Sequence, residues 1–187
     1  MTYEAGVLDA SRGGSTWTSF GVLGPVLRTF HIASGATSTA WPANNDAYLV
    51  PFLIDDPVTF TGAFFMAGTS PGTTNYDLGI YRDDFTLVRS LGATAAVNTT
   101  DAILPAAGGT FSTAVTLVRG RYYMAMSAAS TALTVRAAVN GNQFFRALGM
   151  FKMATAHPLP APFVPASMST TAFMPAIGLM TAANTVL

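Results

Sequence analysis

The chain of 187 residues is long enough for one domain with a substantial core. Only 10% of its residues are charged, against about 25% in ordinary soluble domains, and nine Lys and Arg balance nine Asp and Glu. This balance excludes the basic stripe that a nucleic acid or an anionic membrane requires, and the lack of cysteine excludes disulfides and thiolate metal sites.

Residues 1–45 predict an N-terminal arm with a first strand at residues 25–32. Glycines and prolines interrupt any regular pattern in the rest of this arm. The first residues lack the basic and apolar regions of a secretory signal peptide, and no apolar run approaches the roughly 18 residues of a membrane span. We therefore expect synthesis and folding in a reducing cytosol.

Residues 46–154 predict the body of a β-sandwich. Alternation of apolar and polar residues, or short apolar runs between turn residues, indicates strands rather than helices. The spacing of these strands is typical of an antiparallel sandwich or jelly roll. The predicted strands cover Ala47–Ile54, Val58–Met66 and residues 76–81, 85–90, 110–118, 121–126 and 132–139, and residues 91–109 predict a long loop with a short strand near Ala96.

Four local signals refine this pattern. Pro51 lacks a backbone donor, which favours an edge or a bulge, and Gly62 indicates a bulge where the alternation changes phase. The dipeptide at residues 140–141, Asn-Gly, predicts a tight turn. Residues 143–150 are the one helix candidate in the chain.

Residues 155–187 predict an extended C-terminal arm. Five prolines, at positions 158, 160, 162, 165 and 175, oppose a compact structure and favour an arm that wraps neighbouring subunits. The methionines of the last third suit either an adaptable subunit interface or an ordinary core. The predicted fold is thus all-β: one antiparallel, jelly-roll-like β-sandwich with extended N- and C-terminal arms.

Few side chains offer chemistry. His31 and His157 are the two imidazoles, and their separation is unlike that of zinc ligands. The carboxylate pairs at positions 55–56 and 83–84 suit calcium, but Asp residues at turns more often cap backbone amides. The sequence has no nucleophile elbow and no phosphate-binding loop, and its acids select no facing pair for a hydrolase. We therefore expect no enzyme, no cofactor and no metal.

Trp17 and Trp41 lie in segments rich in Gly, Ser, Thr and Pro. Exposed tryptophans on loops can stack on sugar rings, so both are candidate carbohydrate-binding residues. Burial at a subunit interface is the more common role of such tryptophans.

The middle of the chain resembles a β-sandwich module of tailed-phage virion proteins, found in fibre and head-decoration proteins. The matching stretches are YLVPF at residues 48–52, NYDLGIY at 75–81 and VTLVRGRYYMAM at 115–126. The resemblance spans roughly residues 48–139, about half of the chain. It implies a jelly-roll-like body in a virion, a homotrimer and no catalytic residues.

Three features of the matching stretches have a physical interpretation. Gly79 is expected to let a neighbouring chain or an aromatic ring approach the sheet closely. Tyr76 and Tyr81 are expected to pack as cross-strand aromatics whose hydroxyls reach water or a partner. Gly120 is expected to supply a turn conformation that other residues resist.

A surface with so few charges predicts contact with other subunits. The chain is therefore expected to be a bacteriophage virion structural protein, a capsid decoration or head/tail accessory subunit that associates with itself and with other virion proteins. The alternative is a carbohydrate-binding module of a tail fibre that recognises a host glycan. A hydrolase with two facing carboxylates in a cleft is a third hypothesis.

Overall fold

The computed structural model describes residues 22–23, 26–28, 37–139, 149–164, 168–169 and 173–181. These residues form strands and turns and contain no helix, so the predicted all-β antiparallel sandwich is confirmed. No helix in this part of the chain could span a membrane.

The strands form three antiparallel sheets. The seven-stranded sheet has the order β13-β12-β4-β10-β6-β7, with β8 also paired to β6, and the five-stranded sheet has the order β1-β2-β15-β5-β9. The three-stranded sheet has the order β14-β11-β3. The bounds are β1 Val22–Leu23, β2 Val26–Arg28, β3 Thr37–Ala40, β4 Ala47–Ile54, β5 Val58–Met66, β6 Asn75–Arg82, β7 Leu87–Ser90, β8 Thr94–Ala95, β9 Ile103–Leu117, β10 Gly120–Ala128, β11 Thr134–Val139, β12 Phe151–Met153, β13 Met168–Ser169, β14 Phe173–Pro175 and β15 Ile177–Thr181.

The seven-stranded sheet is apolar on both faces. On its inner face, even-numbered residues of β4 such as Val50 and Phe52 join the main core between the sheets. On its outer face, Leu49, Tyr123 and Tyr81 belong to a second apolar cluster. A strand buried on both faces reads as a nearly continuous apolar run, which explains the composition of β4.

The outer cluster is closed by residues 156–163, which we call the strap. Ala156, Leu159 and Phe163 of the strap are buried against the outer face of the seven-stranded sheet. The strap contains two cis peptide bonds, His157–Pro158 and Ala161–Pro162.

The described residues after the strap join the sheets of their own chain. β15 lies between β2 and β5, and β14 pairs with β11. Phe173, Ile177 and Leu179 reach the main core. The described parts of the predicted C-terminal arm thus add strands and core to the sandwich, and the contacts with neighbouring subunits expected of this arm stay a prediction.

The strand predictions succeeded where alternation or apolar runs were strong. β4 and β5 have the predicted bounds, and the strands predicted at 76–81, 85–90, 121–126 and 132–139 shift at their ends by one to two residues. Within the strand predicted at 25–32, the described residues 26–28 form β2, which pairs antiparallel with β1 at Val22–Leu23.

The long loop predicted over 91–109 is partly wrong, because β9 already begins at Ile103. Its pairing with β5 shifts register twice, between Phe60 and Gly62 and between Ala63 and Phe65. Each shift inserts extra residues of β9 opposite β5, which destroys the period of two on which a strand prediction rests. β8 at Thr94–Ala95 agrees with the short strand expected near Ala96.

The bulge predicted at Gly62 is confirmed by the first of these shifts. Pro51 pairs with Tyr123 of β10, whereas β12 pairs only with residues 47–49 of β4. Within the described part of the chain, Pro51 therefore lies at a locally unpaired edge, as predicted.

The expectations for the tyrosines and for Gly120 are wrong. Tyr76 and Tyr81 are fully buried, and the Tyr81 hydroxyl donates a 2.5 Å hydrogen bond to the Pro160 carbonyl of the same chain. Gly120 is the first residue of β10, outside the left-handed region, and a Cβ there would meet only the Tyr122 ring at 3.5 Å. Gly79 does permit a close approach, but by non-aromatic atoms of its own chain: the Arg89 carbonyl oxygen and Leu159 Cδ1 lie 2.7 Å and 2.9 Å from where a Cβ would stand.

Several predictions fall on residues outside the described part. These are Trp17, His31, the Asn-Gly turn at 140–141 and residues 143–148 of the helix candidate.

Candidate functional site

Two polar side chains lie beneath the strap on the outer face of the seven-stranded sheet. Asp77 of β6 and Ser127 of β10 are directly opposite each other in the register. Alternation places both on the face that carries Tyr81, Tyr123 and Ala125. Asp77 is 1% exposed and Ser127 is 0% exposed, so both must be satisfied within the protein.

The strap supplies partners for these side chains. His157 Nδ1 lies 3.0 Å from Ser127 Oγ, and the Leu159 amide donates a 3.1 Å hydrogen bond to Asp77 Oδ2. The Tyr81 hydroxyl bond to Pro160 follows immediately along the strap. Side chains from β6 and β10 therefore hold three nearly consecutive residues of the strap.

Aromatic contact fixes the far end of the strap. The rings of Phe163 and Tyr81 are 4.4 Å apart between centroids, and the Phe163 amide donates to the Phe85 carbonyl at 3.2 Å. Phe85 has a left-handed backbone conformation and stacks on Tyr123. The strap is thus anchored from His157 to Phe163 by polar contacts at one end and by rings at the other.

Burial controls the charges under the strap. It raises the pKa of Asp77, and the hydrogen bond from the Leu159 amide opposes this shift only in part. Ser90 and Gly92 also favour the charged form, but Asp77 Oδ1 accepts no hydrogen bond of good geometry. Burial lowers the pKa of His157, which favours the neutral imidazole.

Serine, histidine and a buried carboxylate meet here, but not in the arrangement of a hydrolytic triad. In a triad the carboxylate orients the histidine, and the histidine contacts an accessible serine. Here Asp77 binds the Leu159 amide, and Ser127 has no exposed surface. The arrangement fastens the strap, and it can also take up a proton at Asp77 or His157.

A second buried carboxylate is paired. Lys152 Nζ lies 2.7 Å from Asp46 Oδ2, and the contact is held by charge rather than by a well-aligned hydrogen bond. Asp46 is 3% exposed, so it resembles Asp77 in burial but has a cation beside it. Substitutions of Asp77 and Asp46 can therefore be compared to separate the effect of burial from the effect of a neighbouring cation.

We expect Asp77→Asn to resist urea better than the wild type at pH 7. The folded chain retains a proton on Asp77 in a pH range where the unfolded chain has lost it, so this group lowers stability as pH rises above the ordinary Asp pKa. Asn removes the buried charge and can still accept the Leu159 hydrogen bond. Urea unfolding of both proteins from pH 4 to pH 7 should show an advantage that grows with pH.

Asp46→Asn is the matched control for this prediction. It should destabilise the protein at pH 7, because it leaves the partly buried Lys152 without its partner. An Asp77→Asn protein that is less stable than the wild type at pH 7, or that has the same pH dependence, would contradict the role given to the buried charge.

The sequence-predicted sugar-binding residue Trp41 lies in the main core. Its indole packs edge-on against Tyr48 and Phe173, and Nε1 donates to the Asp46 carbonyl at 3.2 Å. Because the side chain is 1% exposed, no face of the ring is available to a sugar. The carbohydrate hypothesis then depends on Trp17, which lies outside the described residues.

The acidic pairs are at turns, as their sequence suggests. Asp84 Oδ1 accepts a 2.9 Å hydrogen bond from the Thr86 amide, and this contact lowers the pKa of Asp84. Asp83 lies 3.4 Å from Nε of Arg121. No group of three or more metal-ligating side chains occurs in the part of the chain that the structure describes.

Charged side chains concentrate at one end of the sandwich. The register pairs Ile54 with Gly120 and Arg82 with Tyr122, so the end of β4, the end of β6 and the start of β10 lie side by side. Seven of the eighteen charged residues of the chain lie there: Asp55, Asp56, Arg82, Asp83, Asp84, Arg119 and Arg121. We call this region the charged end.

His157 stands out in the sequence as one of two histidines, whereas Ser127 and Asp77 are not predicted as site residues. One signal was present, because Asp77 interrupts an otherwise apolar stretch between Tyr76 and Leu78. A charge in such a stretch indicates either a turn or a buried polar contact. Ser127 gave no signal, since its partner is 30 residues away.

Comparisons of the chain with protein-family models, with curated proteins and with solved structures gave no match.

Proposed function

We propose that this protein is a structural subunit that acts by shape and by association with copies of itself, as a capsid decoration or head/tail accessory protein of a tailed-phage virion. The sandwich fold agrees with the resemblance in residues 48–139 that suggests this role. The low charge of the chain also supports it, because neutral surfaces associate with little electrostatic repulsion.

One observation carries the non-catalytic part of the proposal. Within the described residues, the one meeting of Ser, His and carboxylate side chains is used to hold the strap against the sheet. Asp77 and Ser127 are covered by the chain itself, whereas His157 is half-buried. The carboxylate and the serine are therefore unable to receive a substrate in this conformation. They stabilise a shape, which is the property that a building block needs.

The mass of the full chain in solution tests self-association. Light scattering over a wide range of protein concentrations should give a multiple of 19.5 kDa, and the virion resemblance predicts three copies. A mass that stays at one chain at every concentration would overturn the proposal.

The virion role has a separate test. Particles purified on a density gradient from infected cells should contain peptides of this chain at a fixed ratio to the major capsid protein. A chain that stays in the supernatant while particles form normally would exclude a virion subunit, whatever its mass in solution.

A further inference from the structure

We infer that copies of this chain contact one another through the charged end, with the acidic turn of one copy against the basic turn of the next. The inference rests on the proposed self-association and names its surface. The acidic turn is residues 55–57, between β4 and β5, and the basic turn is residues 118–119, between β9 and β10.

The register places the two turns next to each other. Ile54 pairs with Gly120 on one side, and Val58 pairs with Leu117 on the other. Both turns therefore connect the seven-stranded sheet to the five-stranded sheet at the same place. The first contributes Asp55 and Asp56, and the second contributes Arg119.

These charges are exposed and unused within the described part of the chain. Asp55, Asp56 and Arg119 make no ion pair or hydrogen bond there. Asp83 and Asp101, by contrast, pair with Arg121 and Arg136. Unpaired charges of opposite sign on adjacent turns can find their complements on another copy.

Apolar side chains lie beside these charges. Val118 is 59% exposed and Leu53 is 49% exposed, and they are two of the four large apolar residues exposed in the described part. An apolar centre with charged neighbours is the usual composition of a specific protein contact.

A second copy of this chain is the partner that the charges favour. A patch with adjacent acidic and basic turns is complementary to itself, because rotation brings the acidic turn of one copy onto the basic turn of another. The same contact between an acidic turn and a basic turn can repeat around a three-fold axis, so it fits the expected trimer. A strongly acidic or basic partner would be repelled by one of the two turns.

The central experiment is a charge exchange in the full chain. Asp55→Arg together with Asp56→Arg makes both turns basic, and Arg119→Glu makes both turns acidic. Each of these single exchanges should weaken association about tenfold or more, with the larger loss at low salt. The double variant, which combines the two exchanges, restores turns of opposite charge and should recover the wild-type mass in light scattering.

Valine substitutions provide a control for the apolar part. Val118→Asp should also lower the mass to that of one chain. Val97→Asp should leave the mass unchanged, because Val97 is equally exposed, at 51%, but follows β8 at the opposite end of the sandwich. Near-ultraviolet circular dichroism should show the native fold in every variant.

The outcomes separate the inference from the proposed function. If the wild type assembles and the single exchanges and Val118→Asp leave its mass unchanged, the charged end is not the contact, and self-association stands. If the single exchanges dissociate the protein and the double variant does not reassemble, unlike pairing of the turns is wrong. A monomeric wild type contradicts both statements.

Discussion

Removal of residues 155–187 is expected to abolish folding. The deletion takes away β15, which lies between β2 and β5, and β14, which pairs with β11. It also removes the strap and so exposes the outer face of the seven-stranded sheet. The deletion also removes four buried residues, Phe163, Phe173, Ile177 and Leu179. At about 2 to 5 kcal/mol for each large core residue, this loss is as large as the whole stability of a typical domain, about 5 to 15 kcal/mol.

Circular dichroism and thermal unfolding of the truncated chain provide the measurement. The truncated chain should show no cooperative transition and no fixed aromatic signal. A chain that ends at Thr181 is the control, because it keeps every described strand, and it should unfold cooperatively. Cooperative unfolding of the 1–154 chain near the wild-type temperature would contradict the central place assigned to β15.

Gly62→Ala is expected to destabilise the protein by about 3 kcal/mol. A Cβ at Gly62 would overlap the carbonyl oxygen of Gly109, and the Met180 Cε would lie only 2.9 Å away. The methionine end can move, but the carbonyl belongs to the backbone of β9 at the bulge. Relief therefore requires β5 and β9 to separate. Urea unfolding at neutral pH measures the change.

Gly120→Ala is the matched control for this prediction. Gly120 also lies in a strand, but a Cβ there would make ordinary contact with the Tyr122 ring. Because Ala loses less chain entropy than Gly on folding, the change should be neutral or stabilising by about 0.5 to 1 kcal/mol. Equal losses at the two positions would mean that the Gly62 effect is not the overlap with Gly109.

The fold was predictable where a strand follows a simple rule. β4 and β5 have apolar runs or alternation bounded by Asp and Pro, and their bounds were predicted to the residue. β9 was shortened in the prediction because its bulges disturb the alternation. The sequence predicts β15 only as part of an arm, since its partners β2 and β5 lie more than a hundred residues earlier in the chain.

The site beneath the strap was less predictable, because its contacts also join residues that lie far apart in the chain. His157 was noticed as a rare residue, but its contact with Ser127 depends on the path of the strap. Tyr81 was expected to reach outward, and it does so only as far as Pro160. Local sequence determines which face a side chain occupies, whereas what covers that face depends on the whole topology.

The position of β15 has a consequence for the order of events in the cell. β2 and β5 are joined in one sheet only when residues 177–181, which follow both strands by more than a hundred residues, have been made. Prematurely terminated polypeptides would therefore have a gap in the middle of one sheet. Such fragments expose unpaired strand edges and are therefore prone to aggregation and proteolysis.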